Sequence, residues 1–190
     1  ELDSLVKSQF VEMFGDFSSS DKYYLKDVAD IVSGITIGRR TGNQSLTKIA
    51  YMRVANVKDG YIDLSEIKAI EATNDEIERY LLKKDDVLLT EGGDPDKLGR
   101  GALWTSPIKY CIHQNHIYRV RLNKSIIVPI YFAQYLKQKL ARYYFFTCAK
   151  QTTGIASINM TQLKALPVLA PSLPLQNQFA DFVHQVDQQK

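Results

Sequence analysis

Ile117-Tyr118-Arg119-Val120-Arg121-Leu122 is the stretch from which the fold is read. Apolar and basic residues alternate along it, and successive side chains of a strand point to opposite faces. It therefore predicts a β-strand with one face packed into a core and the other basic. Working outward, Val87-Leu88-Leu89-Thr90 has the continuous apolar character of a buried strand. Tyr51-Met52-Arg53-Val54 alternates, and Asp59-Gly60 marks a tight hairpin before Tyr61-Ile62-Asp63-Leu64. Leu103-Trp104 and Tyr110-Cys111-Ile112 read as further strands, and residues 23–32 fit either strand or helix. Thr73 with Glu76 three residues later forms a capping box, opening a short helix that ends near Leu82. Lys83-Lys84-Asp85-Asp86 reads as a turn, Asn159 as a cap, and Leu166-Pro167-Val168-Leu169 as extended chain. Pro129 opens a helix whose inner face is Tyr131, Phe132, Tyr135, Leu136 and Leu140. The fold class is α+β, a mixed α/β arrangement with a β-rich body.

Both ends of the chain carry apolar helical stripes. Leu2, Leu5, Val6, Phe10 and Met13 recur at helical steps, and Gly15 stops the segment. Near the other end, Leu175, Phe179, Phe182 and Val186 step by 4, 3 and 4, the pattern of a coiled-coil seam. Each stripe is expected to need a partner surface. The chain therefore divides into an entering helix at 1–17, a body at 18–170 and a leaving helix at 171–190.

The 190 residues are 45% hydrophobic and 24% charged, the composition of a globular protein and not of a collagen, a disordered chain or a disulfide scaffold. Cys111 and Cys148 have no metal-binding spacing, which predicts a reducing, cytoplasmic setting. No signal peptide is read in these residues, and no run of about 18 apolar residues predicts a membrane-spanning helix. The start at Glu1 predicts an excised or processed piece. The net charge of +3 hides an asymmetry: residues 1–96 sum to −7, whereas 97–180 carry 11 Lys and Arg and no Asp or Glu. One reading is a surface that meets a polyanion. The other is that folding interleaves the acidic and basic stretches so that the field cancels.

None of four enzyme readings is signalled by the residues. Gly93 to Gly99 is one residue too long for a phosphate-binding P-loop and continues Arg100-Gly101, not Lys-Ser. No Pro-Pro pair supplies an amino-methyltransferase motif. After Asp94 and Asp96 no acid follows until Asp181, so clustered carboxylates for a nuclease are not signalled. His113 and His116 lack a third zinc ligand nearby. The sum favours a binding protein.

Nucleic-acid binding has positive signals. Arg and Lys read guanine, Asn and Gln read adenine, and Lys, Ser and Thr hold phosphates. Four polar loops present these side chains: Arg39, Arg40, Asn43, Gln44 and Lys48; Lys97 and Arg100; Gln114 and Asn115 beside His113 and His116; and Lys150, Gln151, Thr152 and Thr153. Each loop taken singly also reads as an ordinary solvated connection.

Several blocks in a fixed order resemble the specificity subunit of type I restriction-modification systems. They are Tyr51-Met52-Arg53-Val54-Ala55-Asn56-Val57, Asp86 to Asp94, Leu98-Gly99-Arg100-Gly101, His113 to His116 and Lys150 to Asn159. Phe10 to Asp16, and Leu166-Pro167-Val168 with Gln176, match as well. The resemblance covers nearly the whole chain. It implies a non-catalytic target-recognition domain that reads one half of a split double-stranded DNA site, between segments of conserved spacer helices. It also implies modification (methyltransferase) subunits and a restriction subunit as partners. No cofactor is then bound directly, because S-adenosylmethionine, ATP and magnesium belong to those partner subunits. A natural half-subunit would dimerise through the terminal stripes at Leu2, Leu5, Phe10, Met13, Leu175, Phe179, Phe182 and Val186.

Blocks common to a family that reads many sequences are expected to hold the fold or the phosphates. Gly92, Gly93, Gly99 and Gly154 are accordingly assigned to loop geometry. Lys97, Arg100, Lys150, Gln151 and Thr152 are assigned to DNA-backbone or local contacts, and loop 38–48 to base readout. The alternative from another class is a scaffold domain that docks a partner through its terminal helices.

Overall fold

The computed structural model describes residues 2–15, 20–93, 98–152 and 155–189. In chain order, helix α1 (Leu2–Phe14) leads to strand β1 (Asp21–Tyr24), the single turn α2 (Leu25–Val28) and strand β2 (Ala29–Ser33). The ambiguous stretch 23–32 is therefore both helix and strand. Strand β3 (Thr47–Met52) ends in a 3₁₀ turn at Val54–Asn56, and β4 (Lys68–Ala72) precedes α3 (Asn74–Tyr80). Then come β5 (Val87–Thr90), β6 (Gly92–Gly93), β7 (Gly101–Leu103), β8 (Cys111–His113) and β9 (Ile117–Leu122). The last third holds α4 (Pro129–Tyr135), α5 (Lys139–Cys148), β10 (Lys150–Thr152), β11 (Ile155–Ser157), α6 (Met160–Lys164), β12 (Pro167–Ala170) and α7 (Leu173–Asp187).

Strand β9 lies inside an antiparallel sheet of order β2-β9-β5-β7. Its Tyr118, Val120 and Leu122 face the main core with Val87 and Leu89, whereas Ile117 and Leu88 face a second core with Met52, Trp104 and Cys111. A sheet covered on both faces explains why Val87 to Leu89 is uniformly apolar. The second sheet has order β4-β3-β8, with β3 and β8 parallel, and Ile35 bridges Gln114 at its margin. A smaller sheet joins β10, β11 and β6, and β1 pairs with β12. Both predicted caps form: Thr73 Oγ1 accepts from Glu76 N, and Asn159 Oδ1 accepts from Gln162 N. Asp59-Gly60 does close a turn, between single bridge partners Val57 and Ile62.

The helix predicted from Pro129 is two helices. Gln138 is extended (φ −76°, ψ 154°), which ends α4 and resets the phase of α5. Leu140, expected on the inner face, is consequently 47% exposed, while Ala141 and Phe145 turn inward.

The terminal stripes largely satisfy each other, contrary to the expectation that each seeks an external surface. Val6, Phe10 and Phe14 of α1 share the main core with Phe179, Val183 and Val186 of α7. Phe179 meets Phe10 and Phe14 edge-on at centroid distances of 5.3 and 5.4 Å. The inward row of α7 is Gln176, Phe179, Ala180, Val183 and Val186, so Leu175 and Phe182 are only half-buried beside it. Leu2 and Met13 are likewise partly buried, and Leu5 is 47% exposed. The pattern had the right helices. Seam and core share the same apolar spacing, so it did not separate an intermolecular partner from an intramolecular one.

Candidate nucleic-acid interface

Charge pairing in the fold decides which cations are available. Arg119 Nη2 donates to Asp30 Oδ2 at 2.8 Å, Lys124 reaches Asp85 at 2.5 Å, and Arg142 reaches Asp59 at 2.6 Å. Arg121 makes a two-pronged pair with Asp86, at 2.7 and 2.8 Å. Four cations of the acid-free stretch are thus neutralised by carboxylates of the acidic half. The basic face expected on β9 is an interior face. The Arg119 side chain is only 3% exposed and that of Arg121 32%, so the face is largely covered and spent on the two ion pairs. Among the described residues, Arg100, Lys109, Lys137, Lys139, Lys150 and Lys164 remain without an ion pair. Lys97 lies outside the described residues.

The loop expected at 38–48 ends before β3, which takes up Thr47 and Lys48 in register with Ala72 and Glu71, and it rides over the corner between β4 and α3. Arg39 forms a two-pronged ion pair with Glu76, and its Nη2 also donates to the Glu71 carbonyl at 2.9 Å. Glu76 accepts the Thr73 N–H at 2.9 Å as well, so one carboxylate closes the helix cap and anchors the loop. The bond from Arg39, followed by the Thr73 contacts, outweighs partial burial and holds the Glu76 carboxyl at about 2. Arg39 was expected to read bases, but the fold commits two of its three guanidinium nitrogens. Arg40, Asn43, Gln44 and Lys48 are exposed, and Arg40 and Lys48 have no ion-pair partner among the described residues.

A second group gathers at the other end of β3. Gln114 N donates to Met52 O at 3.0 Å, Asn115 N to Ile35 O at 3.0 Å, and Glu91 N to His116 O at 3.0 Å. These bonds bring turn 114–116 beside segments 53–58 and 90–93. Gln114 and Asn115 are half-buried there. Val54, Ala55, Lys58, Thr90, Gly92, Gly93 and Arg100 line a cleft of about 260 Å³. The β10–β11 hairpin closes on the same place, because β11 pairs with β6. A β-carbon on Gly92 would stand 2.7 Å from Ala156 O, so glycine permits that approach. Lys150 is exposed at the base of the hairpin. The side chains of Gln151 and Thr152, and Thr153 and Gly154 altogether, lie outside the described residues.

His113 is fully buried, with Nδ1 3.1 Å from Tyr80 O and Nε2 3.2 Å from Val32 O. Burial dominates and pushes its pKa down to about 4 against the pull of those carbonyls, so it ties α3, β8 and β2 together as a neutral ring. His116 instead pairs with Glu91 at 2.6 Å on the surface. Lys58 was not picked out from the sequence, because the hairpin signal of Asp59-Gly60 beside it read as turn chemistry alone.

The fold is thus a β-rich α+β body on a self-paired helical base, with polar loops whose cations Arg40, Lys48, Arg100 and Lys150 make no ion pair among the described residues. Residues 18–190 match the family described as the type I restriction modification DNA specificity domain, and the chain belongs to that family. It is 28% identical over 167 residues to a Methanocaldococcus jannaschii protein named as the type I restriction enzyme MjaX specificity subunit, covering 86% of this chain and 38% of that protein. It is 30% identical over 152 residues to the type I restriction enzyme EcoKI specificity subunit of Escherichia coli K12, covering 77% of this chain and 31% of that one. The solved HsdS subunit from Thermoanaerobacter tengcongensis shares the fold over 99% of this chain and 43% of its own, with a TM-score of 0.57 at 15% identity. The chain thus spans less than half the length of each of these relatives.

Proposed function

We propose that this chain is a DNA target-recognition domain without catalysis of its own. It binds double-stranded DNA and reads one half of a two-part site. The observation that carries the reading is the family match over residues 18–190. Arg40, Asn43 and Gln44, exposed on a loop whose anchor, Arg39, is supplied from within the fold, are the base-reading group together with Lys48, exposed at the start of β3. Arg100 and Lys150, at the cleft and its hairpin, hold phosphates. In the assembled system this domain directs modification (methyltransferase) and restriction subunits, which carry the cofactors. The outward residues of the terminal helices, with Leu5 foremost, are the surface for those subunits or for a second copy of the chain.

Selection from a random duplex library with the purified chain tests the reading. Enrichment of one short motif is expected, and a motif repeated about a fixed gap shows two copies acting together. Arg40→Ala is then expected to weaken the selected motif by about 1–3 kcal/mol and to relax one base position. An Arg40→Ala variant that loses affinity equally for every sequence removes that residue from base reading. A chain that binds no duplex at low salt overturns the function.

A further inference from the structure

We propose that the outward face of α5 is a second, sequence-independent DNA contact, in which Tyr143, Phe146 and Lys139 grip the sugar–phosphate backbone. The inference rests on the DNA-recognition reading above and assigns to it a surface that the loop motifs do not contain. Tyr143 is 68% exposed and Phe146 54%. Lys139 is exposed and has no ion pair among the described residues. At about 100° per residue, Lys139, Tyr143 and Phe146 fall within an arc of about 60°, next to Arg142. Scattered exposed apolar residues are ordinary on protein surfaces. Two aromatic rings set among cations on one helical face are less so.

The neighbourhood of α5 fixes its aim. Arg142 Nη1 donates to Leu98 O at 2.5 Å, and the Phe145 ring lies where a β-carbon on Gly99 would stand, 2.3 Å from its Cδ2. On the other flank Tyr144 OH donates to Gln162 O at 2.7 Å. The helix is thereby clamped beside the segment that carries Arg100, and it runs directly into β10 with Lys150. Charge selects the occupant. α5 itself, Lys139–Cys148, contains no carboxylate. Among the described residues, the acid that pairs with α5 is Asp59, and it is already held by Arg142 at 2.6 Å. Such a face suits a polyanion whose deoxyribose edges offer apolar contact: rings pack on sugars while the ammonium group meets phosphate.

The test is fluorescence anisotropy of the full chain on two duplexes of about 30 base pairs, one carrying the selected motif and one scrambled, across a salt series. The double variant Tyr143→Ala/Phe146→Ala is expected to lose about tenfold in affinity on both duplexes, by analogy with aromatic contacts elsewhere. Lys139→Ala is expected to reduce the slope of log K against log salt by about 0.9. Lys139→Glu keeps the test usable should the double change harm solubility, and it should weaken both duplexes. Unchanged affinity in all three variants overturns the proposal, including the case where the double variant no longer captures a methyltransferase subunit. A loss confined to the selected motif also overturns it, because the face would then read bases. Failure of the unsubstituted chain to bind either duplex instead strikes the DNA-recognition reading itself.

Discussion

Glu76→Gln isolates the anchor of the loop proposed above to read bases. The substitution keeps the size of the side chain and an oxygen for the Thr73 N–H, but it removes the charge that holds Arg39. In the fold the carboxyl is lowered from 4.5 to about 2, first by Arg39 and then by the Thr73 N–H. Taken at face value that shift corresponds to roughly 3 kcal/mol. The Glu76 side chain is 25% exposed and that of Arg39 18%, so solvent screens part of the attraction. A net loss of about 1–2 kcal/mol near pH 7 is the expected size. For a chain of this length that corresponds to a fall in Tm of about 2–8 °C.

The pH dependence sharpens the test. A carboxyl depressed in the folded state stabilises above its unfolded value of 4.5, and that stability is lost as pH falls through about 2. Urea unfolding of both proteins at several pH values should therefore show a constant gap from neutral pH down to about pH 5, closing progressively toward about pH 2. No gap at neutral pH, or a gap that does not close in acid, refutes the assignment of Glu76 as an ionic anchor. Because the anchored element is loop 38–48, Glu76→Gln should also weaken the selected DNA motif more than a scrambled duplex.

Three further outcomes follow from packing. Gln176 is fully buried, accepts from Val128 N at 2.8 Å and donates to Ile126 O and Pro171 O at 3.0 and 2.7 Å. Gln176→Leu strands three backbone groups and should lower unfolding free energy by about 3–5 kcal/mol; a loss below about 1 kcal/mol in urea would mean they find other partners. Gly99 sits at φ +70° against Phe145, so Gly99→Ala should cost about 2 kcal/mol or more and alter the near-ultraviolet signal of the aromatic core. Phe179→Ala empties the contact between the terminal helices and should cost about 3–5 kcal/mol by calorimetry, whereas a small loss would show the helices unpaired in solution.

Strand and cap positions were legible because they depend on local pattern. Val87 to Thr90, Ile117 to Leu122, and the Thr73 and Asn159 caps fall where their side chains predict. What the pattern lacked was the identity of the opposing surface. Alternation on β9 revealed two faces, but not that Asp30 and Asp86 would meet the basic one. The apolar spacing from Tyr131 to Leu140 ran through an extended Gln138, so Leu140 was assigned to the wrong side. Arg39 and Arg40 are adjacent and chemically identical in the sequence. Only the position of α3, with Glu76 in its first turn, makes one an anchor and leaves the other without an ion pair among the described residues.

That division bears on how one fold could serve many target sequences. A recognition loop must be held firmly, since ordering it on binding would subtract from affinity. In the loop proposed to read DNA, the holding is done from within the fold: by Glu76 through Arg39, by the Glu71 carbonyl, and by the bond from Asn115 N to Ile35 O at 3.0 Å where the chain enters the loop. Among the described residues, the exposed Arg40, Asn43, Gln44 and Lys48 support none of this framework through a side-chain bond. Exchanging them should therefore shift stability by no more than about 0.5 kcal/mol, the ordinary range for surface positions. Specificity can then change while the fold does not. A set of exchanges at these four positions that altered the selected motif but left the urea midpoint in place would establish that separation. A matching drop in stability would show that anchoring and reading are the same residues after all.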